Sequence, residues 1–179
     1  MITPEELSVS DRNNIGYQYT DCPLYWISVI YLNFAEAKAE MGSLTQDDLN
    51  NSINKLQARA GLPAMTTTPD ADPANNMGVS NLIWEIRRCR RCELIMDNWY
   101  RYWDLIRWHQ LDKLDSTKYP NTMLGANVSN VPDCEEATKN GYIDASDAQI
   151  RTYEAKHYFY PIPTTQLTLN KNMKQNPGW

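Results

Sequence analysis

Two cysteines offer the first candidate chemistry, because Cys89 and Cys92 form a C-x-x-C motif. A zinc site needs four ligands at defined spacing, and the chain adds only His109 and His157 with no second cysteine pair nearby. A redox motif would follow a strand-to-helix turn, whereas this motif lies between arginines in a helical pattern. The spacing therefore favours structural thiols over a metal or redox site.

Arginines dominate the same stretch. Four of them fall within five positions and occupy nearly every direction around one predicted helix: Arg87, Arg88, Arg90 and Arg91. Acidic residues recur beside them, and the net charge of the chain is −5. Asp97 precedes Arg101 by four positions, which is a helical neighbour spacing. Asp104 precedes Arg107 by three, so the pattern favours ion pairs within a scaffold over phosphate or nucleic-acid binding.

Tryptophans follow at helical spacing, as Trp99, Trp103 and Trp108. A flat indole ring can stack on a sugar or a base, but aromatic residues at this spacing more often belong to a core. Asp104 lies between two of them, where it can anchor backbone or arginine groups. The stretch is therefore predicted to be an internal brace.

Support for catalysis is weak in this sequence. The motifs GxSxG and HExxH are absent, as is a glycine-rich phosphate loop. Carboxylate pairs occur at positions 47–48 and 135–136, but no apolar pocket can be assigned that would shift their pKa values. We therefore predict a protein that is not an enzyme and that uses no cofactor.

Amphipathic helices must position these residues. Residues 24–41 are followed by the stop signal Gly42 and carry an apolar stripe at helical spacing, formed by Tyr25, Val29, Leu32 and Ala35. Thr45 and Asp48 form a capping-box pattern that begins a second helix, which Gly61 ends. Two helices joined by so short a turn are predicted to pack antiparallel as an αα-hairpin.

Loops and a third helix complete the pattern. Residues 62–79 form a polar loop that is predicted to be exposed and mobile, and Ser80 is a candidate N-cap for the third helix. A bend is expected at positions 97–98. From 115 to 151 the helical pattern dissolves, and residues 156–160 are compatible with a strand. The predicted class is mainly α, with antiparallel helix pairs, long loops and little β.

A chain of 179 residues is long enough for one domain. We divide it into an irregular lead-in (1–23), a helical scaffold (24–114), and a long loop with a C-terminal tail (115–179). Its opening residues lack a charged-then-apolar signal segment and read like the middle of a protein. We therefore expect a fragment of a longer chain.

Three segments together resemble one known family. The first is YLNFAEAKAEMG (31–42) followed by INKLQARAGLP (53–63). The second is IRRCRRCELIMDNWYRYWDLIRW (86–108), and the third is YFYPIPTTQLTLNKNMKQNPGW (158–179). In this order and spacing they resemble the SusD/RagB-type outer-membrane nutrient-binding lipoproteins of Bacteroidetes-like bacteria. Cys89 departs from the family pattern, which usually has a glutamate at that position.

The resemblance implies a tetratricopeptide-like helical scaffold of which this chain is the C-terminal portion. It also implies a lipid anchor in the N-terminal portion and a place on the outer face of the outer membrane. Five residues match structural positions of the family pattern that tie helices together: Glu93, Arg101, Asp104, Arg107 and Trp108.

The function implied by the resemblance is non-catalytic capture of an oligosaccharide or another nutrient, for import through a SusC-like TonB-dependent transporter. Loops 64–80 and 115–152 are expected to supply specificity, with Tyr119 and Tyr142 as exposed aromatic contacts to the ligand. One alternative is a helical-repeat adaptor without a sugar ligand. Another is a glycan-active enzyme, which would need an acid pair in a cleft.

Overall fold

The computed structural model describes residues 25–95, 100–132, 138–144, 146 and 149–179, in two compact units divided after Ile95. The first unit contains α1 (Ile27–Glu40), α2 (Gln46–Asn50), α3 (Ile53–Arg59) and α4 (Asn81–Glu93). The second contains α5 (Tyr100–Arg107), β1 (Leu124–Asn127), β2 (Thr138–Lys139), β3 (Tyr142–Asp144) and α6 (Thr164–Leu169). Short 3-10 turns in the second unit cover Leu111–Leu114, Pro120–Met123 and Ala155–Tyr158.

The predicted class, mainly α with little β, is confirmed. The predicted lead-in (1–23) and the predicted bend at positions 97–98 lie outside the described residues. Among the helices that the structure describes, none is long and apolar enough to cross a membrane.

Helix α1 is the central element of the first unit. Its predicted stripe is buried at Val29, Leu32 and Ala35, and the helix packs against both α3 and α4. Tyr25, which the sequence analysis placed on the same stripe, precedes the helix and is exposed. A second row at steps of four also remains exposed, formed by Trp26, Ile30 and Phe34.

The second predicted helix begins as expected but is interrupted. Thr45 and Asp48 form the predicted capping box, in which the Thr45 hydroxyl accepts from the Asp48 amide and the Asp48 carboxylate accepts from the Thr45 amide. Ser52 then breaks the helix, with its hydroxyl donating to the Asp48 carbonyl at 2.5 Å. Such side-chain bonds compete with the helical backbone pattern. Leu49 and Ile53 are nevertheless both fully buried across the break.

The polar loop of residues 62–79 is fastened to the helices below it. Asn54 donates its amide to the Met65 carbonyl at 3.0 Å and accepts from the Met65 N–H at 2.7 Å. Both residues are buried. Farther along, the Trp84 indole donates to the Asp72 carboxylate at 2.9 Å, so the loop is held at two points.

Asn54→Ala is expected to lower the free energy of unfolding by about 2 kcal/mol, because the buried Met65 amide and carbonyl lose their side-chain partner. Asn172→Ala is the matched control, since Asn172 is exposed and should contribute less than about 1 kcal/mol. Urea denaturation followed by circular dichroism measures both values. Equal losses in the two variants would show that the Met65 contact is energetically unimportant.

The capping box also predicts a dependence of stability on pH. Hydrogen bonds from Thr45, followed by the contact with the Lys38 ammonium, lower the pKa of Asp48 from 3.8 to about 2. A lowered pKa in the folded state stabilises the protein above pH 3.8, and this contribution is lost as the pH falls toward about 2.

Melting temperatures measured across that interval check the prediction. The wild-type protein should lose stability between about pH 4 and about pH 2. Asp48→Asn should start less stable and lose less over the same interval. Asp47→Asn, at the exposed neighbouring position, should follow the wild type, and an identical acid profile for Asp48→Asn would contradict the role of the cap.

A small antiparallel sheet occupies part of the predicted long loop, with strand order β1-β3-β2. Asn140 and Gly141 connect β2 to β3, and both have positive φ, 55° and 79°. Two such residues form the tight turn that suits a two-residue hairpin. A Cβ at position 141 would also lie against the Ser129 hydroxyl, so the positive φ and the limited space together favour glycine there.

The strand expected at residues 156–160 is not formed. Residues 155–158 make a 3-10 turn, because the His157 Nδ1 atom accepts from the Glu154 amide at 3.0 Å and closes the turn. After Pro163 the chain forms α6, a helix that the sequence analysis did not predict. The aromatic composition of this segment was therefore misleading about its backbone.

The C-terminal motif folds back onto the segment that precedes α6. Gln175 binds both main-chain groups of Ile162, accepting from the amide at 2.8 Å and donating to the carbonyl at 2.9 Å. Asn176 donates to the Tyr160 carbonyl at 2.6 Å. The side chains of Gln175 and Asn176 thus satisfy main-chain groups of residues 160–162, as a neighbouring strand would in a sheet.

Trp179 completes this closure. Its indole N–H donates to the carbonyl oxygens of Phe159 at 2.9 Å and Lys156 at 3.2 Å. The indole ring also meets the His157 ring edge-on, with 5.8 Å between centroids.

Candidate functional site

The predicted brace residues of α5 lie together around one buried carboxylate. Asp104 is 3% exposed and accepts from Arg107 Nε at 2.9 Å, which is the ion pair expected from their spacing. The guanidinium groups of Arg107 and Arg101 lie 4.7 and 5.9 Å from the centre of the Trp108 ring. This arrangement packs charge over an aromatic face and fixes the end of the helix.

The arginines of α4 bind to acidic and polar residues of the first unit. Arg87 reaches Glu36 and Glu40 on α1, both at 3.1 Å. Arg90 is 4% exposed and donates to Asn33 on the same helix at 2.8 Å.

The remaining pairs of α4 lie nearer the surface. Arg88 pairs with Glu85, and Glu93 pairs with Arg59 at the end of α3 at 2.7 Å. The Arg59–Glu93 pair joins α3 to α4, and the Arg88–Glu85 pair lies within α4, so these arginines pair with acids as the mixture of charges predicted.

The two thiols of the C-x-x-C motif differ in their surroundings. Cys89 is half-buried and Cys92 is exposed, and both are free. Burial, assisted by the nearby carboxylates Glu93 and Glu85, raises the pKa of Cys89 to about 11, so the thiolate needed for attack or metal binding is suppressed at neutral pH. In the described parts of the chain, no group of three or more histidine, cysteine or acidic residues could hold a metal ion.

The two tyrosines predicted as exposed ligand contacts are partly buried instead. The Tyr119 hydroxyl accepts from Lys113 Nζ at 3.0 Å, and the same ammonium group lies 4.5 Å from the ring centre. Tyr142 lies in β3, where it pairs with Asn127 of β1 and with Lys139 of β2. The expectation of exposure was wrong because both residues stabilise the long segment itself, and their contact with a ligand stays a prediction.

A cleft of about 240 Å³ lies elsewhere in this segment. Its walls come from the residues around the Pro120–Met123 turn, the start of β1, the end of β3 and the segment after β3. The lining residues are Ser116, Thr117, Pro120, Met123, Leu124, Asp144, Ser146, Gln149 and Ile150.

Asp115 holds the frame of the cleft although it is not among the lining residues. Its carboxylate accepts from the Thr117 hydroxyl at 2.5 Å, from the Thr117 amide at 2.9 Å and from the Tyr153 amide at 3.1 Å. These bonds, chiefly that of the Thr117 hydroxyl, lower the pKa of Asp115 to about 2. Asp115, which precedes the lining residues Ser116 and Thr117, therefore stays ionised well below neutral pH.

Two further contacts fix the walls. The Ser116 amide donates to the Arg151 carbonyl at 2.9 Å, and the Ser116 hydroxyl accepts from the Arg151 amide at 3.0 Å. Asp144 accepts from the Ser146 amide at 3.0 Å and from its hydroxyl at 2.5 Å. Residues far apart in sequence are thereby held in one arrangement before any ligand arrives, which favours binding.

The described lining of the cleft combines hydroxyls, one amide and one carboxylate with aliphatic surface, a mixture that is common in binding sites. Hydrolysis of a glycoside usually uses two carboxylates, and Asp144 is the one carboxylate among the described lining residues. The sequence pattern indicated the segment (115–152) but none of these lining residues. Their signal was weak, because single serine, threonine and glutamine residues in a polar loop are common.

Comparison with known proteins agrees with the helical architecture. The family model of the SusD family matches residues 5–179. The chain is also similar to the crystal structure of a SusD-like protein from Bacteroides fragilis, with a TM-score of 0.57 and 24% identity. That similarity, which shows the fold, covers 85% of this chain and 25% of the other.

A search among curated proteins gives no match. The family model nevertheless spans nearly all of the sequence, including the three segments that carried the resemblance and the brace around Asp104. The chain therefore belongs to the SusD family.

Proposed function

We propose that the protein captures an oligosaccharide or another nutrient outside the cell and passes it, without chemical change, to a SusC-like TonB-dependent transporter. The observation that carries this proposal is the match of the SusD family model to residues 5–179. The cleft of the second unit supports it, because its mixture of polar and aliphatic groups suits recognition.

We further propose that the chain is the C-terminal portion of a longer lipid-anchored protein on the outer-membrane surface. The chain spans about a quarter of the SusD-like structure from Bacteroides fragilis, which supports this placement. The anchor would lie on a segment that precedes the chain described here.

Isothermal titration of the full-length protein against a panel of glycans tests the binding function. Heat of binding with no released product is the expected result. Turnover of any glycan would contradict the non-catalytic role. Co-purification with a co-expressed SusC-like transporter tests the partner, and failure of the two to associate would contradict that part of the proposal.

An alternative function is that of a helical-repeat adaptor without a sugar ligand. The exposed row of Trp26, Ile30 and Phe34 on α1 favours it, since apolar side chains at steps of four suit the packing of another helix. A signal peptide with a lipid-attachment cysteine in the gene, next to a transporter gene, would contradict the adaptor and favour the nutrient-binding protein.

A further inference from the structure

We infer that the cleft of the second unit is a subsite for one uncharged, hydroxyl-rich ring, and that the side-chain amide of Gln149 determines its specificity. This inference rests on the proposed nutrient-binding function and adds the chemistry of the ligand and a residue that reads it.

The size of the cleft limits what it can hold. Its volume of about 240 Å³ is below the roughly 300–1,000 Å³ that encloses a drug-sized ligand. A single ring fits such a space, whereas an extended oligosaccharide does not. The remaining units of a longer glycan would therefore lie outside the cleft.

The lining offers both kinds of surface that a sugar ring presents. Pro120, Met123 and Leu124 supply aliphatic surface for the C–H groups of a ring. Ile150 adds more and is 75% exposed, so its side chain is accessible at the edge of the cleft. The hydroxyls of the serine and threonine residues supply oxygen atoms that can accept hydrogen bonds from the ligand.

The charge of the cleft selects against acidic ligands. Asp144 contributes a carboxylate to the lining, and Asp115 places a second one behind Thr117. Lysine and arginine are absent from the described residues that line it. A uronic acid or a phosphate would meet like charge with no lysine or arginine among the described lining residues, whereas the hydroxyls of a neutral sugar can donate to a carboxylate.

Gln149 differs from the lining hydroxyls in what its side chain contacts. The hydroxyls of Ser146 and Thr117 donate to Asp144 and Asp115, so their protons are already in use. The main-chain amide of Gln149 donates to the Ser146 carbonyl at 3.0 Å, which fixes the backbone at this position.

The exposed side-chain amide of Gln149 has no hydrogen-bond partner among the described residues. It carries one acceptor and two N–H donors, which can bind adjacent ring hydroxyls simultaneously. The geometry therefore leaves this amide available for reading the ligand.

Titration of the full-length protein with neutral disaccharides (maltose, cellobiose, xylobiose and lactose) and with the acidic digalacturonate tests the inference. The wild type should bind at least one neutral sugar more tightly than digalacturonate. Gln149→Ala should weaken that binding roughly tenfold, as expected from the loss of hydrogen bonds to the ligand. Gln166→Ala, at an exposed glutamine on α6, is the matched control and should bind like the wild type.

Each of the other possible results overturns a specific part of the inference. Neutral-sugar binding that survives Gln149→Ala unchanged overturns the subsite while the proposed nutrient-binding function stands. Tighter binding of digalacturonate than of every neutral sugar overturns the argument from charge. Failure of the wild type to bind any sugar of the panel overturns the subsite together with the oligosaccharide ligand of the proposed function.

Discussion

Arg87→Ala is expected to lower the free energy of unfolding by about 3 kcal/mol, because it leaves the Glu36 carboxylate buried without its guanidinium partner. The Arg87 side chain is 10% exposed and that of Glu36 is 4% exposed, so both charged groups are largely shielded from water in the intact protein. The same guanidinium also binds Glu40, which ties two positions of α1 to α4. Urea denaturation monitored by circular dichroism provides the measurement.

The neighbouring residue supplies the control. Arg88 lies on the same helix and pairs with Glu85, but its side chain is 51% exposed. Exposed ion pairs contribute little, so Arg88→Ala should reduce stability by less than about 1 kcal/mol. Similar losses for the two variants would mean that burial of the Arg87–Glu36 pair is not what stabilises the contact between α1 and α4.

Asp104→Ala is expected to lower the free energy of unfolding by about 2 kcal/mol while leaving the affinity for ligand unchanged. The buried carboxylate holds Arg107 in a hydrogen-bonded ion pair, and bonds to charged groups contribute about 1.5–3 kcal/mol each. Loss of Asp104 also releases the Arg107 guanidinium from its position over the Trp108 ring. Thermal unfolding measures the loss of stability, and titration with a glycan that the wild type binds measures the affinity.

Asp112→Ala is the control for this substitution, because Asp112 is only partly buried and its carboxylate lies 3.5 Å from the Tyr119 hydroxyl. It should change the melting temperature much less. If Asp104→Ala instead abolished ligand binding at unchanged stability, Asp104 would belong to the binding site and its assignment as a structural anchor would be wrong.

The helices of the first unit could be predicted because their signals are local. The stripe of Val29, Leu32 and Ala35 repeats at helical spacing, and the Thr45–Asp48 capping box is contained within four residues. The break at Ser52 could not be predicted from the same stripe, since the apolar positions continue across it. The break is accompanied by a hydrogen bond from the Ser52 hydroxyl to the Asp48 carbonyl, where the hydroxyl could equally have faced solvent.

The small sheet escaped prediction for a different reason. Its strands have two to four residues, which is too short for an alternating pattern to emerge. The Asn140-Gly141 pair was the one local signal, because this dipeptide favours a tight hairpin turn. That signal went unused within a stretch interpreted as a loop.

The cleft could not be predicted from the sequence, because contacts between residues that lie far apart in the chain form it. Ser116 meets Arg151, and Asp115 meets Tyr153, across more than thirty positions. Aromatic side chains drew attention to Tyr119 and Tyr142, whereas the lining consists of small polar and aliphatic residues. In a long polar segment, the residues with the most conspicuous side chains were those that pack the segment itself.

The contacts of Trp179 concentrate two links in one side chain. Its indole N–H donates to main-chain oxygens 20 and 23 residues earlier, so loss of this side chain would remove both hydrogen bonds at once. Residues 156–159 would then be released from residue 179, whereas the bonds of Gln175 and Asn176 to the segment before α6 would remain.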